Sequence, residues 1–405
     1  MKRHARLYLA VLCAAAAGAA GLVGAQRPVP DPQDFERQSR ETSRRMEERG
    51  LAEPFKGVTT NGTVVPSLYQ IRSTGVSTAP VVQAAGQFLR TLSADARRRT
   101  VFPENDVEWR KWANQHSYFR DGLSFEAMTG PQREAALGML GASLSARGLE
   151  LTRDIMRLNH TLGELNNNNF VEYGESKYWI SIMGEPSATE PWGWQLDGHH
   201  LNLNYFVLGD QVVMTPAFWG SEPAVAASGK FAGTRIMDAE QAAGLAMVRA
   251  LTPAQRTAAV LEVSKPGNNI LTQAFSDNVV LDYAGARVSS FSAEQKRQLL
   301  ALVELYVGNM RTPHAQVRMS EVEARLDDSY FAWIGDTQDD SVYYYRIHSP
   351  VVLIEFDHET PVGLRHLYPN VPYREHIHAV VRTPNGNDYG KDLLRQHYAA
   401  HPHGE

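Results

Sequence analysis

The residues best equipped for chemistry fall in two short stretches, Asp197-Gly198-His199-His200-Leu201-Asn202-Leu203-Asn204 and His376-Ile377-His378. Side chains alternate between the two faces of a strand, so His376 and His378 point the same way at about 7 Å, a spacing that suits two imidazoles on one divalent metal ion. By the same alternation His200 shares a polar face with Asn202 and Asn204, whereas His199 falls with Leu201 and Leu203. Glu355 and Asp357 stand on the polar side of an otherwise apolar run, where a charge needs a partner. The pattern predicts that His200, Glu355, His376 and His378 hold one divalent ion that activates water. Asp197 or His199 would then move protons, and Arg382 would receive a substrate anion or oxyanion, as in metal-assisted hydrolysis. A plainer reading stands beside this one. A His-x-His pair without a third ligand fixed by spacing is a weak metal signature, and Glu355 with Arg382 also reads as a structural ion pair.

A second chemistry is recognition without catalysis. Trp194, Asn202 and Asn204, with Asp388 and Tyr389, would grip a glycan or another small polar ligand. Large strand aromatics such as Trp192, Trp194 and Trp219 equally belong in a core. The run Asn385-Gly386-Asn387-Asp388-Tyr389-Gly390 also reads as a turn that ends the last strand. A structural role in an envelope assembly is a third possibility, which an exposed apolar patch would support. The chain has no G-x-S-x-G, no phosphate-binding loop, no G-x-G-x-x-G after a strand and no H-E-x-x-H. These absences remove the familiar hydrolase, nucleotide-cofactor and metalloprotease signatures.

The elements that must position these residues can be read from periodicity. Ser93, Thr129, Thr252 and Ser292 each follow an apolar residue and can cap a helix; the last three have a Gln three positions on, as in a capping box. Strands are predicted over 178–184, 194–207, 212–218, 329–335, 343–356 and 376–383. The order is helices, three strands, helices, three strands. Trp194-Gln195-Leu196 matches Tyr345-Arg346-Ile347 at equal distance from Ile182-Met183-Gly184 and Trp333-Ile334-Gly335. From this we expect an α+β fold of two similar halves, about 81–235 and 236–400, each a helical block followed by a three-stranded antiparallel sheet and packed as one unit. A polar leader, 26–80, precedes them, with 34–49 reading as a polar helix or a flexible tail.

The first 25 residues read as a secretory signal peptide. Lys2, Arg3 and Arg6 precede an apolar stretch, and cleavage is expected after Ala25. Removal takes Lys plus Arg from 40 to 37 against 45 acids, near −8, which argues against a nucleic-acid partner. It also removes Cys13, the only cysteine, so thiolate chemistry and disulfides are excluded from the mature chain. The expected location is outside the cytoplasm, with no membrane association after cleavage.

At these residues the chain resembles a known family, the domain of unknown function 3500. The likeness runs from about Phe88 to Tyr398. Its most specific pieces are Trp192-Gly193-Trp194-Gln195-Leu196-Asp197-Gly198-His199-His200, Thr215-Pro216-Ala217-Phe218-Trp219-Gly220, Ile354-Glu355-Phe356, His376-Ile377-His378 and Asn387-Asp388-Tyr389-Gly390. The resemblance implies no activity, substrate or cofactor.

Overall fold

The computed structural model describes residues 27–401, so the expected signal peptide, 1–25, lies outside the described residues. Among those residues are ten α-helices and thirteen strands, and all the strands belong to one mixed sheet, an α+β architecture. The eight long strands are β1 (Tyr178–Met183), β2 (Trp192–Gly198), β3 (Leu201–Leu208), β4 (Ala217–Ser221), β5 (Tyr330–Gly335), β6 (Tyr343–His348), β7 (Leu353–His358) and β8 (Ile377–Arg382). They lie in the order β1-β2-β3-β4-β8-β7-β6-β5, with every neighbouring pair antiparallel.

The strands of both halves thus form one sheet rather than two three-stranded ones. β4 and β8 pair edge to edge and satisfy backbone groups that separate sheets would leave open. The expected strands 194–207 and 343–356 are each two strands joined by a tight turn. The apolar parity contains the reason. Trp194 and Leu196 occupy even positions but Leu201, Leu203 and Tyr205 odd ones, so the phase breaks at Gly198-His199-His200. There His200 adopts the left-handed backbone, φ 60°. The same shift separates Tyr345 and Ile347 from Ile354 and Phe356. The expected third strand, 212–218, divides into the short Gln211–Val213 and β4.

The two faces of the sheet are covered differently. On one face Trp194, Leu203, Tyr205, Trp219, Tyr345 and Phe356 pack into a single apolar core with the helices Gly130–Ser143, Ala146–Leu165 and Ala293–Val307. The other face carries Gln195, Asp197, Asn202, Asn204, Glu355, Asp357 and Arg382, all buried. Two largely irregular segments, 103–128 and 263–285, lie over it, and irregular backbone must find partners for its N–H and C=O groups when it is covered. The sheet supplies them. Gln195 Nε2 donates to Trp109 O, Asn202 Nδ2 donates to Ala113 O, Asp357 accepts from Asn269 N, and Arg382 donates to Thr272 O and Gln273 O.

The helices begin where the capping residues predict. Ser93 Oγ accepts from Ala96 N, and Thr129, Thr252 and Ser292 all form capping boxes. The polar stretch 34–49 lies within the helix Pro32–Gly50, capped by Asp31. Ser43 Oγ accepts from Phe119 N at 2.7 Å and the Arg40 guanidinium lies 3.5 Å over the Phe119 ring, so this helix is docked on the 103–128 segment. Among the described residues no helix is long and apolar enough to cross a membrane.

Candidate metal centre

Three of the four predicted ligands meet. His376 and His378, at the start of β8, project from the polar face, and His200, at the β2–β3 turn, reaches them although 176 residues separate it from His376. The left-handed backbone at His200 turns its ring away from the strand. His200 N also donates to Asn114 O and its carbonyl accepts from Gly220 N, so the turn is held at both ends. Gly220, opposite His378, leaves room for the ring: a Cβ there would come 2.4 Å from Ile377 O and 3.2 Å from His378 Cδ2.

His376 Nε2 stands 3.3 Å from His200 Nε2 and 3.1 Å from His378 Nε2, and the three ligand atoms lie within 4.8 Å of one another. Imidazole nitrogens about 2.05 Å from a tetrahedral ion would be about 3.3 Å apart, so the two gaps are compatible with a shared ion as well as with hydrogen bonds between the rings. All three rings are nearly sealed, with exposures of 6, 1 and 5 % for His200, His376 and His378. Burial, and then the rings of His199, His378 and His376, hold His200 well below the ordinary imidazole range. Burial lowers His376 too, against the opposing pull of Glu222. Neutral imidazoles are what a metal ion requires.

The far side of each β8 ring supports the same reading. His376 Nδ1 is 2.7 Å from Thr360 O, which must accept its proton and leave Nε2 as the lone pair. Glu359 Oε1 is 3.0 Å from His378 Nδ1, an ion-pair distance not aligned as a hydrogen bond. Burial pushes the Glu359 carboxyl up, but His378 and His376 more than offset it and hold it below its usual range. Glu222 lies 4.0 Å from His376 and accepts from Val362, Gly363 and Leu364 N–H and from Tyr373 O–H. Two carboxylates thus stand behind the two β8 imidazoles.

The other predicted residues lie elsewhere. Glu355 does not join the cluster: it accepts from Leu271 N, Thr272 N, Thr272 Oγ1 and Tyr344 O–H, all its capacity being used to hold the covering segment. Arg382 is about 13 Å along β8 from His378, four residues on. Its guanidinium is paired with Asp277 and Asp388 and fully buried. Asp388 also accepts from Thr383 N, while Tyr389 O–H donates to Asp277 and accepts from Trp112 Nε1. Asp197 sits against Arg120 at 3.1 Å and bonds Asn202; burial nonetheless pushes its carboxyl up to about 6. Asn204 donates to Pro216 O. Trp194 stacks on Tyr205 in the apolar core, its Nε1 donating to Ser143 Oγ. Asn202, Asn204 and Trp194 are fully buried.

His199 stacks on His200 but meets other partners. Its Nδ1 pairs with Asn159 Oδ1 at 2.8 Å, and its ring lies between His200, 4.0 Å away, and His116, 5.3 Å away. His199 and His116 line an open recess of about 500 Å³ beside Tyr118, Trp179 and Phe35. Sequence reasoning missed His116, Glu222 and Glu359. Only Glu359 had a signal, since it continues the 355, 357, 359 alternation; Glu222 and His116 are brought in by the fold.

A family model described as a protein of unknown function (DUF3500) matches residues 74–391. The chain belongs to the DUF3500 family. No curated protein and no solved structure matches it. The DUF3500 match spans the whole sheet, and so includes every residue of the histidine cluster together with Glu222 and Glu359.

Proposed function

We propose that this DUF3500 protein is a metal-dependent enzyme of hydrolytic type that acts outside the cytoplasm, with His200, His376 and His378 holding one divalent ion. The observation that supports it most is the pair of 3.1 and 3.3 Å gaps between imidazole nitrogens contributed by distant segments of chain. An ion held by three imidazoles keeps at least one position for water and lowers its pKa. The protein's own groups complete the reading. Thr360 O fixes the His376 tautomer, and Glu359 and Glu222 compensate the charge. The hydrogen bond from His199 Nδ1 to Asn159 Oδ1 orients the ring beside the recess, and burial holds it well below the ordinary imidazole range. Asp197, Glu355 and Arg382 belong to the scaffold in this account. The duplicated-halves reading agrees with the two consecutive four-strand meanders, and export rests on residues 1–25.

Metal analysis tests the proposal. The purified mature protein should carry about one equivalent of a divalent transition metal and the His376→Ala, His378→Ala double variant almost none, whereas equal contents would sink the site. Glu359→Gln should retain the metal but bind it about 10- to 100-fold more weakly in chelator competition.

A further inference from the structure

On the opposite face of the sheet from the histidines lies a second cavity, of about 320 Å³. Its lining is mixed: Leu68, Met214, Val307, Met310 and Val351 form apolar stretches, and Gln211, Thr215 and His314 are among the polar residues between them. Two groups stand out. Trp219, 1 % exposed, lines the cavity, and among the described residues its Nε1 has no acceptor. Buried indole N–H groups are normally satisfied, so a partner in the cavity is expected. At the other end is Arg318, which donates from one nitrogen to Glu321 and from another to Val351 O and Thr383 Oγ1. That uses three of its five N–H groups. Arg72 and Arg325 also line the cavity; Glu321 pairs with both Arg318 and Arg72, and Arg325 lies 3.8 Å from Asp328.

The register gives the spacing of the two backbone positions beside which these groups lie. Trp219 pairs with Ala379 on β8, and Thr383, which Arg318 touches, is four residues further on, about 13 Å along the strand. At about 30 Å³ per water the cavity has room for roughly ten waters, or a slim molecule of comparable bulk. We propose that it binds an aliphatic carboxylic acid bearing an oxygen acceptor near its far end, with the carboxylate at Arg318, the chain along the apolar stretches and the distal oxygen on Trp219 Nε1. Neither the location nor the chemistry depends on the histidine cluster.

Titration calorimetry on the full mature chain with 10-hydroxydecanoate, decanoate and decan-1-ol tests this. The hydroxy acid should bind about fivefold more tightly than decanoate, and decan-1-ol most weakly. Trp219→Phe should erase the gap between the two acids, and Arg318→Gln should weaken both by about tenfold. Should Trp219→Phe fail to fold, hydrogen exchange on the native chain decides: 10-hydroxydecanoate should protect the helix Thr312–Glu323. No binding of either acid at millimolar concentration, no protection of that helix, or equal affinity for acid and alcohol would overturn the proposal.

Discussion

At the scale of single residues, neighbours decide what each histidine can do. His200 and His199 are adjacent in sequence, yet one ring joins the cluster and the other the recess. Strand alternation put His376 and His378 together, whereas His199 and His200 stand in the turn, where the phase breaks and alternation no longer applies. It did not separate Glu355 from Glu359, because both lie on one face and only the coordinates show which is used by the covering segment. His348 illustrates a different environment. It is buried beside Tyr283, its Nδ1 has no partner among the described residues, and burial together with Arg346 pushes the ring down to about 3. The folded ring stays neutral where the unfolded chain takes up a proton, so its contribution is present above about pH 6.5 and is lost as pH falls toward 3. A His348→Phe variant should therefore lose less stability than the native protein between pH 7 and 4.5, by on the order of 2 kcal/mol in denaturant unfolding. Parallel pH profiles would refute this.

At the scale of elements, the alternation of polar and apolar residues was legible, but its purpose was not. Gln195, Asp197, Asn202, Asn204, Glu355 and Arg382 read like a functional surface because polar residues on strands usually face water or a ligand. Here they face irregular backbone, whose identity periodicity cannot announce. Hairpin turns were missed for a related reason: connections of two residues, 199–200, and four, 349–352, leave hydrophobicity almost unbroken, and only a parity slip records them. The scaffold assignment has a direct consequence for Arg382. Replacing it by Met leaves Asp388 buried without its cation, while Asp277 keeps Arg110, at a cost of about 3–5 kcal/mol. Metal content of whatever folds should not change, since the histidines are about 13 Å away. A stable Arg382→Met protein would show that the ion cluster is not structural.

At the scale of the whole molecule, the cluster fastens the β2–β3 turn to β8, two regions far apart in sequence. An ion bound there and not by the unfolded chain should raise the thermal midpoint by several degrees on adding zinc to chelator-treated protein. The His376→Ala, His378→Ala variant should show no such rise, and an equal rise in both would place the ion elsewhere. Which strands pair across the centre was beyond sequence reasoning, because hydrophobic pattern does not encode strand order. That order also matters before the protein is complete. Ser221 pairs with Ile377, 156 residues downstream, so at about 5–20 residues per second β4 leaves the ribosome roughly 8–30 s before its partner exists. Through that interval a nascent chain carries a bare, sticky sheet margin, and whatever shields it during synthesis helps decide how much of the protein survives to fold.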